Sequence, residues 1–237
     1  MVTIDICDVL KGSTYPGRGI IFGRSADNRH AVIAYFIMGR SVNSRNRVFV
    51  ATEDGIRTQA YDAALMIDPS LIIYRPVRTW GGKTIVTNGD QTDTVLEYLA
   101  RGRTFADALR TRTFEPDAPN YTPRISGIME PDGSYSLSIL KAKDGDPSRC
   151  CRFFFEYENP AAGFGDYIHT YSDDGSPLPS FKGEPESVAI GEANAQAFAD
   201  DVWNSLNPEN RVALFVRYSD LGTGSAETVI INAHERE

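Results

Sequence analysis

Apolar residues along this chain fall in short, separated runs, the spacing of strands rather than of long helices. Gly19 to Gly23, Ala31 to Met38, Arg47 to Ala51, Leu71 to Tyr74 and Thr84 to Thr87 each read as a strand. After Asp90 the period changes. Val95, Leu96 and Leu99, followed by Gly102, predict a helix closed by a C-terminal glycine, and Phe105 with Leu109 predicts a second, shorter one. Strands return at Arg124 to Met129, Ser134 to Lys141, Cys151 to Tyr157 and Tyr167 to Tyr171. Ser172 to Pro179 reads as a loop, Ala193 to Leu206 as a helix, and Val212 to Tyr218 and Thr228 to Asn232 as two final strands. Strands, helices, strands, helix, strands is the order of an α+β protein with antiparallel sheets and helices packed outside them. The regular alternation of a doubly wound sheet is absent. No internal repeat or low-complexity linker divides the chain, so one domain over 1–237 is expected.

Composition narrows the class. Hydrophobic residues make up 41% and charged residues 24% of 237, ordinary for a globular protein. No apolar run approaches the roughly 18 residues that span a bilayer. Asp5 and Asp8 stand where a signal peptide carries bases, so a cytoplasmic protein is expected, with no membrane partner. Cys7, Cys150, Cys151, His30, His169 and His234 lack the spacing of a metal site, and no metal or cofactor is expected. Phosphate-loop and dinucleotide fingerprints are also missing.

The net charge of −8 is unevenly placed. Residues 1–124 hold 16 Lys+Arg against 13 Asp+Glu, and residues 125–237 hold 8 against 19. Fourteen of the first sixteen bases are arginine, whose fork matches phosphate and carboxylate oxygens. The first half therefore suits a small anionic ligand, while the acidic total argues against nucleic acid.

Several polar segments follow strands. Thr87-Asn88-Gly89-Asp90-Gln91-Thr92-Asp93-Thr94 gathers amides, hydroxyls and carboxylates just before a helix, where backbone N–H groups and the positive helix end favour an anion. The plainer reading is a turn with Asp90 or Thr92 capping the helix. Gly39 to Arg47 holds Arg40, Ser41, Asn43, Ser44, Arg45, Asn46 and Arg47, a donor-rich loop suited to a phosphate or ribose, or else simply solvated. Tyr15-Pro16-Gly17-Arg18 is a turn that puts Arg18 at a strand end. Tyr74-Arg75 ends a predicted strand, and a tyrosine beside arginines is suited to proton transfer; a half-buried strand tyrosine is the alternative. Glu115 and Asp117 lie on a loop just before Thr122-Pro123-Arg124-Ile125, where a carboxylate can orient an amide, act as a base or simply face solvent.

Taken in order, Tyr15-Pro16-Gly17-Arg18, Gly23-Arg24, Ala34-Tyr35, Arg40-Ser41, Asn46-Arg47, the segment ending at Tyr74, Asn88 to Thr94 and Thr122 to Ile125 resemble the archaeal-type IMP cyclohydrolase family. The resemblance runs from about Tyr15 to Ile128 and fades beyond. The chain is longer than the archaeal members, which fits a bacterial branch. The resemblance implies a four-layer αββα sandwich like that of N-terminal-nucleophile hydrolases, without a self-processed nucleophile. It implies dehydrative closure of 5-formamidoimidazole-4-carboxamide ribotide to IMP, a purine ribonucleotide partner, no cofactor, and assembly into a homo-oligomer. Catalysis falls to Tyr74, Arg47 and Glu115, and substrate binding to Arg18, Arg40, Ser41, Asn46, Asn88, Gly89, Thr92, Asp93 and Arg124. Two other readings stay open: a purine-nucleotide-binding protein without chemistry, and an amidohydrolase on the same fold.

Overall fold

The computed structural model describes residues 4–191 and 194–235. The chain runs β1 (Ile4–Asp5), α1 (Ile6–Gly12), β2 (Arg18–Arg24), β3 (His30–Met38), α2 (Val42–Arg45), β4 (Arg47–Thr52), β5 (Gly55–Ala60), β6 (Val77–Trp80), β7 (Lys83–Thr87), α3 (Gln91–Ala100) and α4 (Phe105–Arg110). It continues through β8 (Arg124–Met129), β9 (Tyr135–Lys143), β10 (Asp146–Tyr157), β11 (Phe164–His169), β12 (Glu186–Ala189), α5 (Ala195–Ser205), β13 (Arg211–Asp220) and β14 (Ala226–Asn232). One sheet has the order β1-β12-β11-β2-β3-β13-β14, the other β10-β9-β8-β7-β6-β5-β4. All pairings are antiparallel except the short parallel contact of β1 with β12. The fold is α+β, as the grouping of elements predicts. Among the described residues, no helix is long and apolar enough to cross a membrane.

Strand alternation sorts the apolar residues into separate layers. Ile20, Phe22, Ile33, Tyr35, Ile37, Phe49, Ile125, Leu137 and Phe215 form the core between the two sheets. The opposite faces of β2, β3 and β13 carry Ile21, Ala34, Phe36, Leu214 and Val216, which pack against Ile6 and Leu10 of α1 and Phe198, Val202 and Trp203 of α5. On the far side, Ile85, Ile128 and Leu140 meet Val95 and Leu99 of α3 and Phe105 and Leu109 of α4. Helices, sheet, sheet and helices thus succeed one another. Because β2 and β3 are covered on both faces, they read as continuous apolar runs rather than alternating ones.

The departures from expectation have local causes. Leu71 to Tyr74 is not a strand: Ile72 and Ile73 N–H groups turn back to the Pro69 carbonyl, and Pro76 offers no donor. The neighbouring strands are β5 and β6, whose sequences are too polar for an apolar run to mark them. The helices α1 and α2 and the short β1 and β12 were not signalled either. The predicted start of the last helix at Ala193 lies outside the described residues; α5 begins at Ala195 with Asn194 as its cap, Asn194 Oδ1 accepting from Ala197 N at 2.9 Å.

The sheets approach closely where β2 crosses β8. A Cβ on Gly127 would lie 2.7 Å from the Phe22 ring, itself fully buried and set edge-on to Tyr135. Gly127→Ala is expected to lower the unfolding free energy by about 1–3 kcal/mol. Adding Phe22→Leu should restore part of the loss in denaturant midpoint. An alanine variant as stable as the parent would show that the sheets have slack there.

Candidate functional site

The alternation that builds the inter-sheet core also delivers polar residues to one end of it. Arg18 shares the face of Ile20 and Phe22, Tyr35 that of Ile33 and Ile37, and Arg47 that of Phe49. Arg18 follows Gly17, whose φ of 78° suits a residue without a side chain and where a Cβ would lie 2.4 Å from Thr170 Oγ1 and 2.5 Å from the Tyr171 ring. Arg47 is fully buried. Its Nε donates to the Ser44 carbonyl at 2.7 Å and its Nη2 to the Met38 carbonyl at 3.4 Å, while Nη1 has no hydrogen-bond partner within the protein. Burial is the main influence lowering its pKa, joined by the charge of Arg18. The Nε of Arg18 is likewise buried without a partner.

Tyr74 reaches this region from an irregular segment. Its N–H donates to Thr58 Oγ1 at 2.7 Å and its carbonyl accepts from Thr58 N at 2.9 Å, which anchors the backbone without a strand. Its hydroxyl lies 2.8 Å from that of Tyr35. Burial, then the Tyr74 neighbour, pushes the Tyr35 pKa well above the ordinary phenol value, so Tyr35 keeps its proton, and either hydroxyl can donate in the pair. Sequence reasoning assigned Tyr35 to a family island but gave it no role, because a tyrosine inside an apolar run carries no signal of its own.

Glu115 joins the cluster from the loop after α4. Its N–H donates to the Thr122 carbonyl at 2.9 Å, and the loop is closed by Asp117, which accepts from Thr122 N at 2.7 Å. Glu115 is 1% exposed and its Oε1 has no hydrogen-bond partner. Burial raises its pKa from 4.5 to about 7, against the opposing pull of Arg18 and Arg124. Burial alone would lower the Arg18 pKa, but Glu115 and three tyrosines hold it well above its usual value. At neutral pH the carboxyl is divided between its two forms, so that attraction is only partly present.

The turn after β7 is organised differently from its sequence appearance. Asn88 Oδ1 accepts from Ile125 N at 2.9 Å and Gln91 Nε2 at 3.0 Å, and Asn88 Nδ2 donates to the Pro123 carbonyl at 2.9 Å. Thr92 Oγ1 meets Thr87 Oγ1 at 2.6 Å and donates to the Gly89 carbonyl at 3.0 Å. These side chains bind one another and the β8 strand. Asp90 occupies the cap position of α3 without making a cap bond. It pairs instead with Arg124 at 2.8 Å and Arg112 at 2.5 Å. Arg124 Nη1 also donates to Gln91 Oε1 at 2.6 Å. Gly89 is a close-approach point: a Cβ there would lie 2.5 Å from Arg124 Nη1 and 3.5 Å from Glu115 Oε1.

Thus Arg18, Arg47, Tyr74, Glu115, Gly89 and Arg124 share one neighbourhood, with Tyr35 added. The others are engaged nearby. Asp93 turns outward to Arg78 at 2.8 Å. Arg40 lies over the Tyr15 ring and pairs with Asp174. Ser41 caps α2, and Asn46 holds Asp62 by bonds of 2.7 and 2.8 Å.

The protein is a layered α+β sandwich with buried arginines, a phenol pair and a near-neutral carboxyl gathered at one end of its central core, the kind of perturbed cluster that marks a candidate functional site. The chain belongs to the IMP cyclohydrolase-like protein family, whose model matches residues 15–224. The IMP cyclohydrolase of Halobacterium salinarum is 32% identical over 133 residues, 54% of this chain and 63% of that protein. That of Methanococcus aeolicus is 25% identical over 163 residues, 61% of this chain and 79% of the relative. A Methanococcus maripaludis IMP cyclohydrolase is 30% identical over 126 residues, 51% and 61% respectively. The match thus spans less than two thirds of the Halobacterium protein.

A folded-state pKa of about 7 against an ordinary 4.5 means that folded Glu115 holds its proton more tightly than the unfolded chain does. The resulting stability is complete below about pH 4.5 and is lost as pH rises through about 7. Glu115→Gln removes this dependence. Relative to that variant, the parent is expected to lose on the order of 3 kcal/mol across the window, read from urea midpoints. Parallel curves for the two proteins would mean that Glu115 titrates normally.

Proposed function

We propose that the protein closes the purine ring of 5-formamidoimidazole-4-carboxamide ribotide to form IMP. The observation that carries the reading is the convergence of Arg47, Tyr74 and Glu115 on one buried region, with Arg47 Nη1 and Glu115 Oε1 left without protein partners. Buried polar atoms are nearly always satisfied, so unpartnered ones in a cluster point to a ligand. Family membership and the names of the relatives support the same activity.

In this reaction the carboxamide nitrogen attacks the formyl carbon. The nitrogen gives one proton to Glu115, and the formyl oxygen takes one from Tyr74, which leaves a carbinolamine. Its hydroxyl then departs as water while the formamide nitrogen sheds its proton and the C=N bond forms. Glu115, near 7, is matched to accepting and returning a proton at neutral pH. Arg47 stabilises charge on the formyl oxygen as it develops. Glu115 returns its proton to the departing hydroxyl, the proton shed by the formamide nitrogen restores Tyr74, and Tyr35 orients the Tyr74 hydroxyl across their 2.8 Å contact. Arg18, assisted by Arg124, meets the phosphate, and Gly89 leaves room beside Glu115. Asn88 and Thr92 shape this wall of the site rather than contacting the substrate. Both reacting groups belong to one molecule, so fixing the reactive rotamer supplies much of the acceleration. The chain acts as one domain, layered like an N-terminal-nucleophile hydrolase.

Purified protein given the formamido ribotide in the presence of chelator is expected to produce IMP, followed by absorbance. Tyr74→Phe should lower kcat by about 10²-fold with KM little changed. Protein that binds IMP but never forms it would instead be a nucleotide-binding relative without the chemistry.

A further inference from the structure

The chain uses arginine for 19 of its 24 cations and lysine for only five. Three of those five, Lys141, Lys143 and Lys182, line a single cavity of about 650 Å³. The cavity lies at the outer edge of the sheet that ends in β9 and β10, beside the loop 177–182. It shares no side chain with the arginine–tyrosine–carboxylate cluster. Lys141 and Lys143 project from the same face of β9, two residues apart, and Cys151 of β10 pairs with Lys141 across the ladder.

Two properties make this more than a solvated lysine patch. First, the charge is poorly compensated. Lys143 forms an exposed pair with Asp144 at 3.1 Å, but among the described residues neither Lys141 nor Lys182 has a carboxylate within ion-pair distance. The Lys141 ammonium donates to the Phe181 carbonyl and sits 5.5 Å from the centre of the Phe153 ring. Burial is the main influence lowering its pKa, and the charges of Lys182 and Lys143 act in the same direction. This positive site stands in the half of the chain that carries a large acidic excess. Second, Phe153 is 42% exposed on the cavity wall, and Pro119 and Leu178 also line it. A ring left half open beside ammonium groups offers a stacking face next to an anion-binding point. The volume falls within the range of small-ligand sites.

We propose that this cavity is a second binding site, for a phosphorylated aromatic or heteroaromatic molecule of nucleotide size. Lys141 and Lys182 hold the phosphate, and Phe153 stacks on the ring. The choice of lysine in an arginine-rich chain fits a compact point charge that meets a phosphate without the bidentate geometry of a guanidinium.

Pyridoxal 5′-phosphate is a suitable probe because it has the same chemistry and reports its own location. Its aldehyde condenses with a neutral lysine amine, expelling water, and borohydride reduces the imine to a stable adduct that peptide mass spectrometry maps. The arginine–tyrosine–carboxylate cluster contains no lysine, so labelling reports on this cavity whether or not the protein forms IMP. At limiting probe, whichever of Lys141, Lys143 and Lys182 is not holding the phosphate condenses with the aldehyde, so label is expected on these cavity lysines at least about tenfold more than on Lys11 and Lys83. Pyridoxal without the phosphate should lose that preference. Phe153→Ala, at an exposed position, should raise the half-labelling concentration by about tenfold with circular dichroism unchanged. Even labelling of all five lysines, or the same pattern with unphosphorylated pyridoxal, would overturn the proposal. Labelling unaffected by Phe153→Ala would overturn its aromatic half.

Discussion

Two guanidinium groups, Arg18 and Arg47, are held at the end of an apolar layer between two sheets, and the arrangement around them follows from the cost of keeping charge there. Removing such a group from water costs several kcal/mol even after the protein relaxes. Arg47 recovers part of this through the carbonyls of Ser44 and Met38. Arg18 draws its largest single electrostatic support from Glu115. The same burial also penalises the Glu115 carboxylate, and its pKa near 7 records that the penalty outweighs the attraction of the arginines. A more exposed site would leave Glu115 an ordinary acid. A site with a tighter pair would leave it permanently ionised.

The turn from Asn88 to Thr94 is the most polar motif of the chain, yet its groups largely answer one another. The Asn88 side chain joins the β7 turn to Pro123 and Ile125 at the start of β8 through two hydrogen bonds and accepts a third from Gln91, Thr92 closes the turn onto Gly89 and Thr87, and Gln91 steers Arg124. This network is buried and satisfied, so it is stiff. Its role is to bring Gly89 and Arg124 up to Glu115. The groups left unpartnered come from less conspicuous sequence: an arginine opening a strand, another inside a short helix–strand junction, and an acid on a loop.

This contrast explains what the sequence made legible. Covered strands such as β3 announce themselves because burial on both faces demands unbroken apolar runs. From those runs follows the layered α+β order, and with it the place of Arg18 at the end of a strand. The strands β5 and β6 escaped because their residues are mainly polar and half exposed, so the pairing that defines them is a tertiary fact. Leu71 to Tyr74 misled for the opposite reason: it is apolar, but prolines at 69 and 76 and the bonds to Thr58 make it a connector. Tyr35 was visible only as one residue of a motif, since its hydroxyl acquires meaning from Tyr74, 39 positions away.

On the proposed reading, the division between a stiff polar scaffold and a few unpartnered groups suits the chemistry. A ring closure within one molecule needs the substrate held in a single rotamer more than it needs an unusually reactive side chain. Precision of that kind comes from supports that are themselves fixed: Gly17 wedged against Thr170 and Tyr171, Tyr74 pinned at both backbone groups by Thr58, and Glu115 tied through Thr122 and Asp117. Each is anchored by elements of a different layer or loop, so displacing one strains its neighbours before it moves the cluster. The rigidity that a positional mechanism requires is therefore supplied by polar contacts internal to the protein, and on this reading the ligand is left to the charges the fold has not neutralised.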